Sequence, residues 1–398
     1  MNILWASNYV SNSGYSNQAR LFVPRLIADG YDTWVLNLGF SSNRPQTFED
    51  GTRLLPTHFD LIGNDSIPGY VRQYEIDALI TLIDTWALRH EATQSAPWFP
   101  WVPIDHDPVP PGVEHALQTA VKPLAMSQWG QAKLAEAGIN ALYVPLAVDP
   151  AVWHPRDKYH LRLQNGIAPD TFLAIFVGVN DTASPNRKGI PELLAAWQQF
   201  VRDNPNSKLL LHTNERGNIP QRGDDKGVDI PAMLKMLDLQ GTVKIVNQHM
   251  YRSGFAQEQL ADMVAMADVV VSPSAGEGFG LIQIEAQRMG VPTIASDFSA
   301  QTELCFSNWL VKGKRVWTWQ KAYWQVPCVD SIAAQLRVAQ GNRDNPRIRE
   351  HVIEAAREYD VDNVWAKYWK PALGEIGQHV LDIQAEQYQQ RKHRRAVQ

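Results

Sequence analysis

Apolar residues in this chain gather into short runs, separated by stretches in which apolar positions recur every three or four residues. The runs predict strands at Ile3–Ala6, Thr33–Leu38, Ala78–Ile83, Trp101–Ile104, Pro123–Met126 and Leu142–Val144. The interleaved helical spacing is clearest at Asn17–Asp29 and Gln128–Ala137. The scheme then repeats, with strands at Phe172–Val177, Lys208–His212, Val243–Val246, Asp268–Val271 and Thr293–Ala295. Its helices fall at Ile190–Arg202, Ala256–Met266 and Leu281–Met289. Strands alternating with helices argue for parallel sheets covered on both faces. Two such blocks predict an α/β protein of two Rossmann-like, doubly wound domains, with a cleft between the carboxyl ends of their strands. Pro145–Pro155 is the natural hinge.

Composition narrows the class. A length of 398 residues suits two domains, and 44% hydrophobic with 20% charged residues is that of an ordinary globular chain. A net charge of −5 supplies no general field for nucleic acid or an anionic membrane. Cys305 and Cys328 read as reduced core thiols. The first residues lack a basic flank and a long apolar run, and no segment reaches the span of a bilayer, so a cytoplasmic location is expected. Neither Ser7–Gly14 nor Gly276–Leu281 completes a G-x-G-x-x-G fingerprint, which argues against a dinucleotide cofactor; none is expected.

Ser272–Ala286 carries the most chemistry. Gly276, Gly278 and Gly280 allow a sharp turn and close approach to a ligand. A helix starting near Gly280 aims free amides and its dipole forward, as a phosphate site requires. Glu285, in the first turns of that helix, can accept two hydrogen bonds from vicinal hydroxyls such as those of a ribose. Glu277 sits on the loop, nearer to a transferred group. Arg187 and Lys188, on the loop before the helix at Ile190, are cations suited to a diphosphate leaving group whose charge grows in the transition state. Together these residues read as a site for a nucleotide-diphosphate sugar.

The same stretch resembles the Glu-x7-Glu motif of retaining GT-B glycosyltransferases of family 4 (glycosyl transferases group 1). Met1–Trp5 with the Gly14 loop resembles that family's opening strand and donor loop. Val144–Asp149 with Trp153-His154-Pro155 resembles its interdomain junction, Asn186–Gly189 its phosphate segment, and Gly290–Ser296 with Thr302-Glu303 the strand and glutamate after the motif. The resemblance implies a GT-B fold. Its expected layout is an acceptor domain at 1–150, a donor domain at 151–360, a C-terminal helix at 361–380 crossing back to the first domain, and a basic polar tail at 381–398.

It also implies a retaining, metal-independent transfer from a UDP- or GDP-sugar to a hydroxyl acceptor. Donor contacts fall to Gly14, Asn180, Arg187, Lys188, Glu277, Gly278, Phe279, Gly280, Leu281 and Glu285. Catalytic roles fall to His106, Glu277, Lys188 and Arg187, with His106 set against the donor sugar. Many members carry Arg directly after the glycine ending the strand before the phosphate segment; here Val179 and Asn180 follow Gly178, and Arg187 stands in as the cation. Tyr15, Asp84, Trp86, Asp105 and Asp107 are acceptor-side candidates. Asp105-x-Asp107 also has the spacing of a divalent-metal pair, but the cations and helix amides already serve the phosphates. The base is expected at a loop such as Gln248–Tyr251. Ser127 reads equally as a family serine or as a helix cap.

Trp309, Trp317, Trp319, Tyr323 and Trp324, interleaved with Lys312, Lys314, Arg315 and Lys321, read as a hairpin, with an acceptor or nucleic-acid surface as the functional alternative. Arg391–Arg395 reads as a solvated disordered tail. The opening Ser13–Arg20, Asp105–Pro111 and Glu303–Cys305 resemble a subgroup common in bacteriophage genomes, which brings a phage protein or a modified DNA base into view as acceptor beside a glycan. No basic amphipathic helix for a membrane surface is evident. The rival readings are a catalytically silent sugar-nucleotide scaffold and a GT-B epimerase or phosphorylase.

Overall fold

The computed structural model describes residues 1–11, 13–39, 44–180, 185–217 and 227–397, with side chains through residue 394. The chain divides into two compact units. One comprises Met1–Ile104, Val109–Ala147 and Val361–Gln398, and the other Asp105–Pro108 with Val148–Asp360. The four residues Asp105–Pro108, placed in the first domain by their position in the chain, group with the second unit. Backbone pairing of Asp107 with Tyr323 explains this, with N to O distances of 3.1 and 3.0 Å in the two directions.

The first unit is built on a sheet whose described strands are β1 (Asn2–Ser7), β2 (Asp32–Asn37), β3 (Gln46–Thr47), β4 (Arg53–Pro56), β5 (Ala78–Leu82), β6 (Trp98–Val102), β7 (Leu124–Ala125) and β8 (Leu142–Tyr143). Their order is β3-β4-β2-β1-β5-β6-β7-β8, parallel except for β3 against β4. Chain order reverses direction between β1 and β5. The central strands are buried along nearly their whole length, as expected of a sheet covered on both faces. β3 and β4 escaped the sequence reading because two residues and Arg-Leu-Leu-Pro give no period-two signal.

The end of the chain packs within this unit. A helix at Val361–Val364 leads through a π-helical turn, Trp365–Trp369, into a helix at Lys370–Val397. The Trp369 ring lies 5.5 Å from Trp5, 5.2 Å from Phe22 and 4.9 Å from Trp101. Such aromatic clusters add to the area they bury. Ion pairs Arg25–Asp362 and Lys370–Asp29, at 2.7 and 3.1 Å, flank the contact. The last helix also runs through the basic stretch expected to be a disordered tail. Three of its five residues are Arg and one is Lys, which favour helix even without burial.

The second unit repeats the scheme with β9 (Phe172–Val177), β10 (Ser207–His212), β11 (Val243–Ile245), β12 (Val269–Ser272), β13 (Thr293–Ser296) and β14 (Trp309–Val311), all parallel and ordered β11-β10-β9-β12-β13-β14. The switch in direction falls between β9 and β12. The helix Ile190–Asp203 buries Leu193, Leu194, Trp197 and Phe200 against the sheet, beside Phe172 and Phe176. A buried ion pair anchors the amino end of β12: Asp268 accepts from Arg162 at 2.8 Å and from the Leu173 amide at 2.7 Å, and also pairs with Lys158. Strands β15 (Gly313–Trp317) and β16 (Tyr323–Pro327) form a separate antiparallel hairpin. Of the two thiols, Cys305 is buried, but Cys328 lies at the surface just past β16 rather than in a core.

Candidate functional site

The loops after β9, β12 and β13 meet at the carboxyl edge of the second sheet, with the switch point between the first two of these strands. A switch point is where a doubly wound sheet opens a crevice for a ligand. The loop from Pro273 to Gly280 is fastened on several sides. The Ala275 amide donates to the Arg187 carbonyl at 2.6 Å, the Gln325 amide of β16 donates to the Ala275 carbonyl at 2.9 Å, and Gln301 Nε2 donates to the Ser274 carbonyl at 2.9 Å. Gly189 lies so close that a Cβ there would sit 2.3 Å from the Pro273 carbonyl oxygen. With φ of 66°, it also takes a left-handed conformation that ends the Arg187-Lys188 loop and starts the helix at Ile190.

These contacts bring Glu277 to the two cations. Its carboxylate pairs with Lys188 Nζ and lies 3.3 Å from Arg187 Nη1, which also donates to the Gly276 carbonyl at 3.3 Å. Burial alone would raise the Glu277 pKa. The charges of Lys188 and then Arg187 outweigh it and bring the carboxyl down to about 2. The Glu277 amide donates to Ser299 Oγ at 3.0 Å. Ser299 holds φ 58° and ψ −156°, a conformation costly for any residue with a Cβ, and the strain sets its hydroxyl under the loop. Nothing in the local sequence signalled Ser299; its conformation is set by the turn between β13 and the helix Ala300–Leu304.

Gly280, at φ 101°, turns the chain into the helix Leu281–Arg288. Its first amides have no partner within the helix and face the carboxyl edge. Gln283 in the first turn is fully buried, and neither atom of its amide has a hydrogen-bond partner among the described residues. The Phe279 ring is buried against Tyr359, with centroids 5.7 Å apart. Glu285 is 7% exposed, and burial raises its carboxyl to about 8. Two glutamates eight residues apart therefore sit in opposite electrostatic environments. Glu277 is held ionised by cations, while Glu285 is held protonated by desolvation.

Asp105–Pro108 approaches the same loop. A Cβ on Gly276 would lie 2.3 Å from the Asp105 carbonyl oxygen and 2.8 Å from Trp324 Cδ1, so only glycine fits there. His106 is fully buried and stacks on Trp324 of β16 with centroids 4.8 Å apart and planes inclined by 28°. Its Nδ1 lies 2.5 Å from Asp105 Oδ1, and Asp107 pairs with Arg315 at 2.8 Å. Both carboxylates of the Asp-x-Asp pattern thus have protein partners. Among the described residues, no group of three or more His, Cys, Asp or Glu side chains is gathered to hold a metal ion.

Asn180 takes a position the sequence did not suggest. Its Nδ2 donates to the Asn214 and Val228 carbonyls at 3.0 and 2.8 Å, and its Oδ1 accepts from the Val228 amide at 2.8 Å. It ties together the loops after β9 and β10. Gln248–Tyr251 belongs to a short helix, Gln248–Ser253, rather than to a loop. The remaining candidates lie in the first unit. Gly14 opens the helix Gly14–Ala28 behind a Ser13 cap that accepts from the Ser16 amide at 3.2 Å, with Tyr15 half-buried beside it. Asp84 and Trp86 are exposed just past β5. Both segments follow neighbouring strands, at the carboxyl edge of the first sheet. Ser127 caps the helix Gln128–Glu136, accepting from the Gly130 amide at 3.0 Å.

The match is to glycosyl transferases group 1. It covers residues 171–316, from the first strand of the second unit to the hairpin. The chain is 28% identical over 195 residues to a D-inositol 3-phosphate glycosyltransferase of Segniliparus rotundus, covering 49% of this chain and 40% of that protein. It is 26% identical over 225 residues to the protein of that name from Rhodococcus erythropolis, covering 56% and 46%. The chain thus spans less than half the length of these two relatives.

Among solved structures, sucrose-phosphate synthase from Thermosynechococcus elongatus superposes with a TM-score of 0.69 at 18% identity, covering 97% of this chain and all of that one. Anabaena HepE in complex with UDP and glucose gives 0.66 at 16% identity, covering 94% of this chain and all of that one. The fold is the GT-B glycosyltransferase fold. No described helix is long and apolar enough to cross a membrane.

Proposed function

We propose that the protein is a retaining glycosyltransferase that moves a sugar from a nucleotide-diphosphate sugar to a hydroxyl acceptor. The observation that carries this reading is the convergence of Arg187, Lys188, Glu277 and the amino end of the helix Leu281–Arg288 at the β9–β12 switch point. Two cations and a helix terminus form a preorganised cradle for a diphosphate, strongest when the leaving group is most negative. Glu285, on the same helix, offers a carboxylate to vicinal ribose hydroxyls, and binding them favours its ionised form.

Glu277, ionised beside the cations, orients the sugar. Retention follows when the departing phosphate takes the acceptor proton on the face it leaves: the anomeric carbon–oxygen bond breaks, the acceptor oxygen bonds to that carbon, and the proton passes to the phosphate. Arg187 and Lys188 supply the charge for this, so the transfer is assigned as metal-independent. Asn180 acts by positioning loops. The family match over 171–316 and the sugar-nucleotide complexes among the structural neighbours support the donor class.

The test is a donor screen with UDP-, GDP-, ADP- and TDP-sugars, with and without EDTA, following nucleotide release and thermal stabilisation. EDTA-insensitive turnover of one donor, abolished by Lys188→Ala and Glu285→Ala, is the expected result. Stabilisation by a donor without turnover, even with hydroxyl acceptors supplied, would favour a silent scaffold. Absence of any binding would overturn the reading.

A further inference from the structure

Ser299 stands at the amino end of the helix Ala300–Leu304, where a serine hydroxyl ordinarily accepts from an amide of its own helix. Here it makes no such bond. Its backbone, at φ 58° and ψ −156°, occupies a region that glycine enters freely and other residues do not. The residue is fully buried, and its Oγ accepts instead from the Glu277 amide at 3.0 Å. Backbone strain and a forfeited cap together cost more than one ordinary hydrogen bond returns, so stability does not account for a serine here. Glycine would take the same backbone without the strain. What glycine lacks is the hydroxyl.

Gln301 and Gln325 fasten the same turn to the same loop. Gln301 Nε2 donates to the Ser274 carbonyl at 2.9 Å. Gln325 bridges the two segments, with Nε2 on the Asp297 carbonyl at 3.0 Å and its amide on the Ala275 carbonyl at 2.9 Å. The Ser299 bond extends this fastening to Glu277 itself. That residue is thus held from two ends, its carboxylate by Lys188 and Arg187 and its main chain by Ser299. We propose that Ser299 is a positioning residue: its hydroxyl fixes the Glu277 main chain so that the carboxylate meets the transferred sugar, and the backbone strain is the cost of placing it there. This rests on the glycosyltransferase reading, in which Glu277 orients the sugar.

The experiment pairs Ser299→Gly, which removes the hydroxyl and the strain, with Ser299→Ala, which removes the hydroxyl and keeps the strain. Thermal unfolding and calorimetric binding of the preferred nucleotide-sugar and of the free nucleotide are measured for both variants and the wild type. Ser299→Gly should melt close to the wild-type temperature, relief of strain offsetting the lost bond, and Ser299→Ala several degrees lower. Both should bind the nucleotide-sugar about tenfold more weakly. Both should bind the free nucleotide as the wild type does, because Lys188, Arg187 and the helix amides still meet the diphosphate. A serine that served stability alone would give an affinity loss that tracks the melting temperature, absent from Ser299→Gly. If Ser299→Ala does not fold, Ser299→Gly carries the test by itself. Wild-type affinity of Ser299→Gly for the nucleotide-sugar, an equal loss for nucleotide and nucleotide-sugar, or a melting temperature that falls as far in Ser299→Gly as in Ser299→Ala would overturn the proposal and leave the glycosyltransferase reading intact. Failure of the wild type to bind any nucleotide or nucleotide-sugar would overturn both.

Discussion

Glu285→Gln tests whether a binding group has been retained at the expense of stability. Burial raises the Glu285 carboxyl from its ordinary 4.5 to about 8 in the folded protein. The folded state then holds a proton that the unfolded chain releases, so this group's contribution is fully present below about pH 4.5 and is lost as pH rises towards 8. The interval corresponds to roughly 5 kcal/mol at about 1.4 kcal/mol per pH unit. With 7% of the residue still exposed, about 3 kcal/mol is the expected size. Gln cannot ionise and is nearly isosteric, so it should match the wild type near pH 5 and exceed it near pH 8. For a unit of this size the advantage corresponds to roughly 6–12 °C in melting temperature. Urea or thermal unfolding followed by tryptophan fluorescence at the two pH values is the assay. The same variant should lose donor binding, since an amide cannot replace a carboxylate that accepts from two hydroxyls. In the wild type, sugar-nucleotide affinity should rise with pH up to about 8, with proton release on binding. An equal stability difference at both pH values, or none, would refute the assigned burial; pH-independent affinity would refute the role.

Further perturbations probe the frame around this residue. Lys188→Ala removes the principal charge holding Glu277 ionised, so it should destabilise by about 2–4 kcal/mol, and the double variant with Glu277→Gln should recover part of that loss in a denaturation cycle. Gly276→Ala, whose methyl would collide with the Asp105 carbonyl and the Trp324 ring, should cut turnover at least tenfold while the far-UV circular dichroism spectrum stays unchanged. Asp268→Ala leaves Arg162 and Lys158 buried without their carboxylate and should cost about 3–5 kcal/mol in urea unfolding.

What the sequence revealed and what it concealed divide along a physical line. Apolar runs between helical repeats marked the central strands of both sheets to within a residue at each end, except β6, which begins at Trp98 rather than Trp101, because burial on both faces leaves an unbroken hydrophobic signature. The loop glycines and the two glutamates were legible because their chemistry is carried by residue type at fixed spacing. Contacts set by distant parts of the chain were not legible. Ser299 supports the Glu277 amide from twenty-two positions away, and its strained backbone leaves no trace in composition. The side-chain amide of Asn180, a donor contact by the family resemblance, is engaged with Asn214 and Val228, a tie that its neighbours in sequence do not signal.

The tryptophan-rich segment shows most clearly how role follows from register. As a composition it read as a hairpin or as a sticky surface, and the hairpin forms. Strand alternation then separates its indoles. Trp317 is 56% exposed, whereas Trp324, paired across the hairpin with Val316, is 6% exposed and lies on His106. A one-residue slip in the register of β15 against β16 would turn Trp324 outward and leave His106 without its stacking partner. The hairpin therefore does for His106 what the switch-point loops do for Glu277. It fixes a ring whose Nδ1 lies 2.5 Å from Asp105 Oδ1 and whose Nε2 is buried without a partner among the described residues.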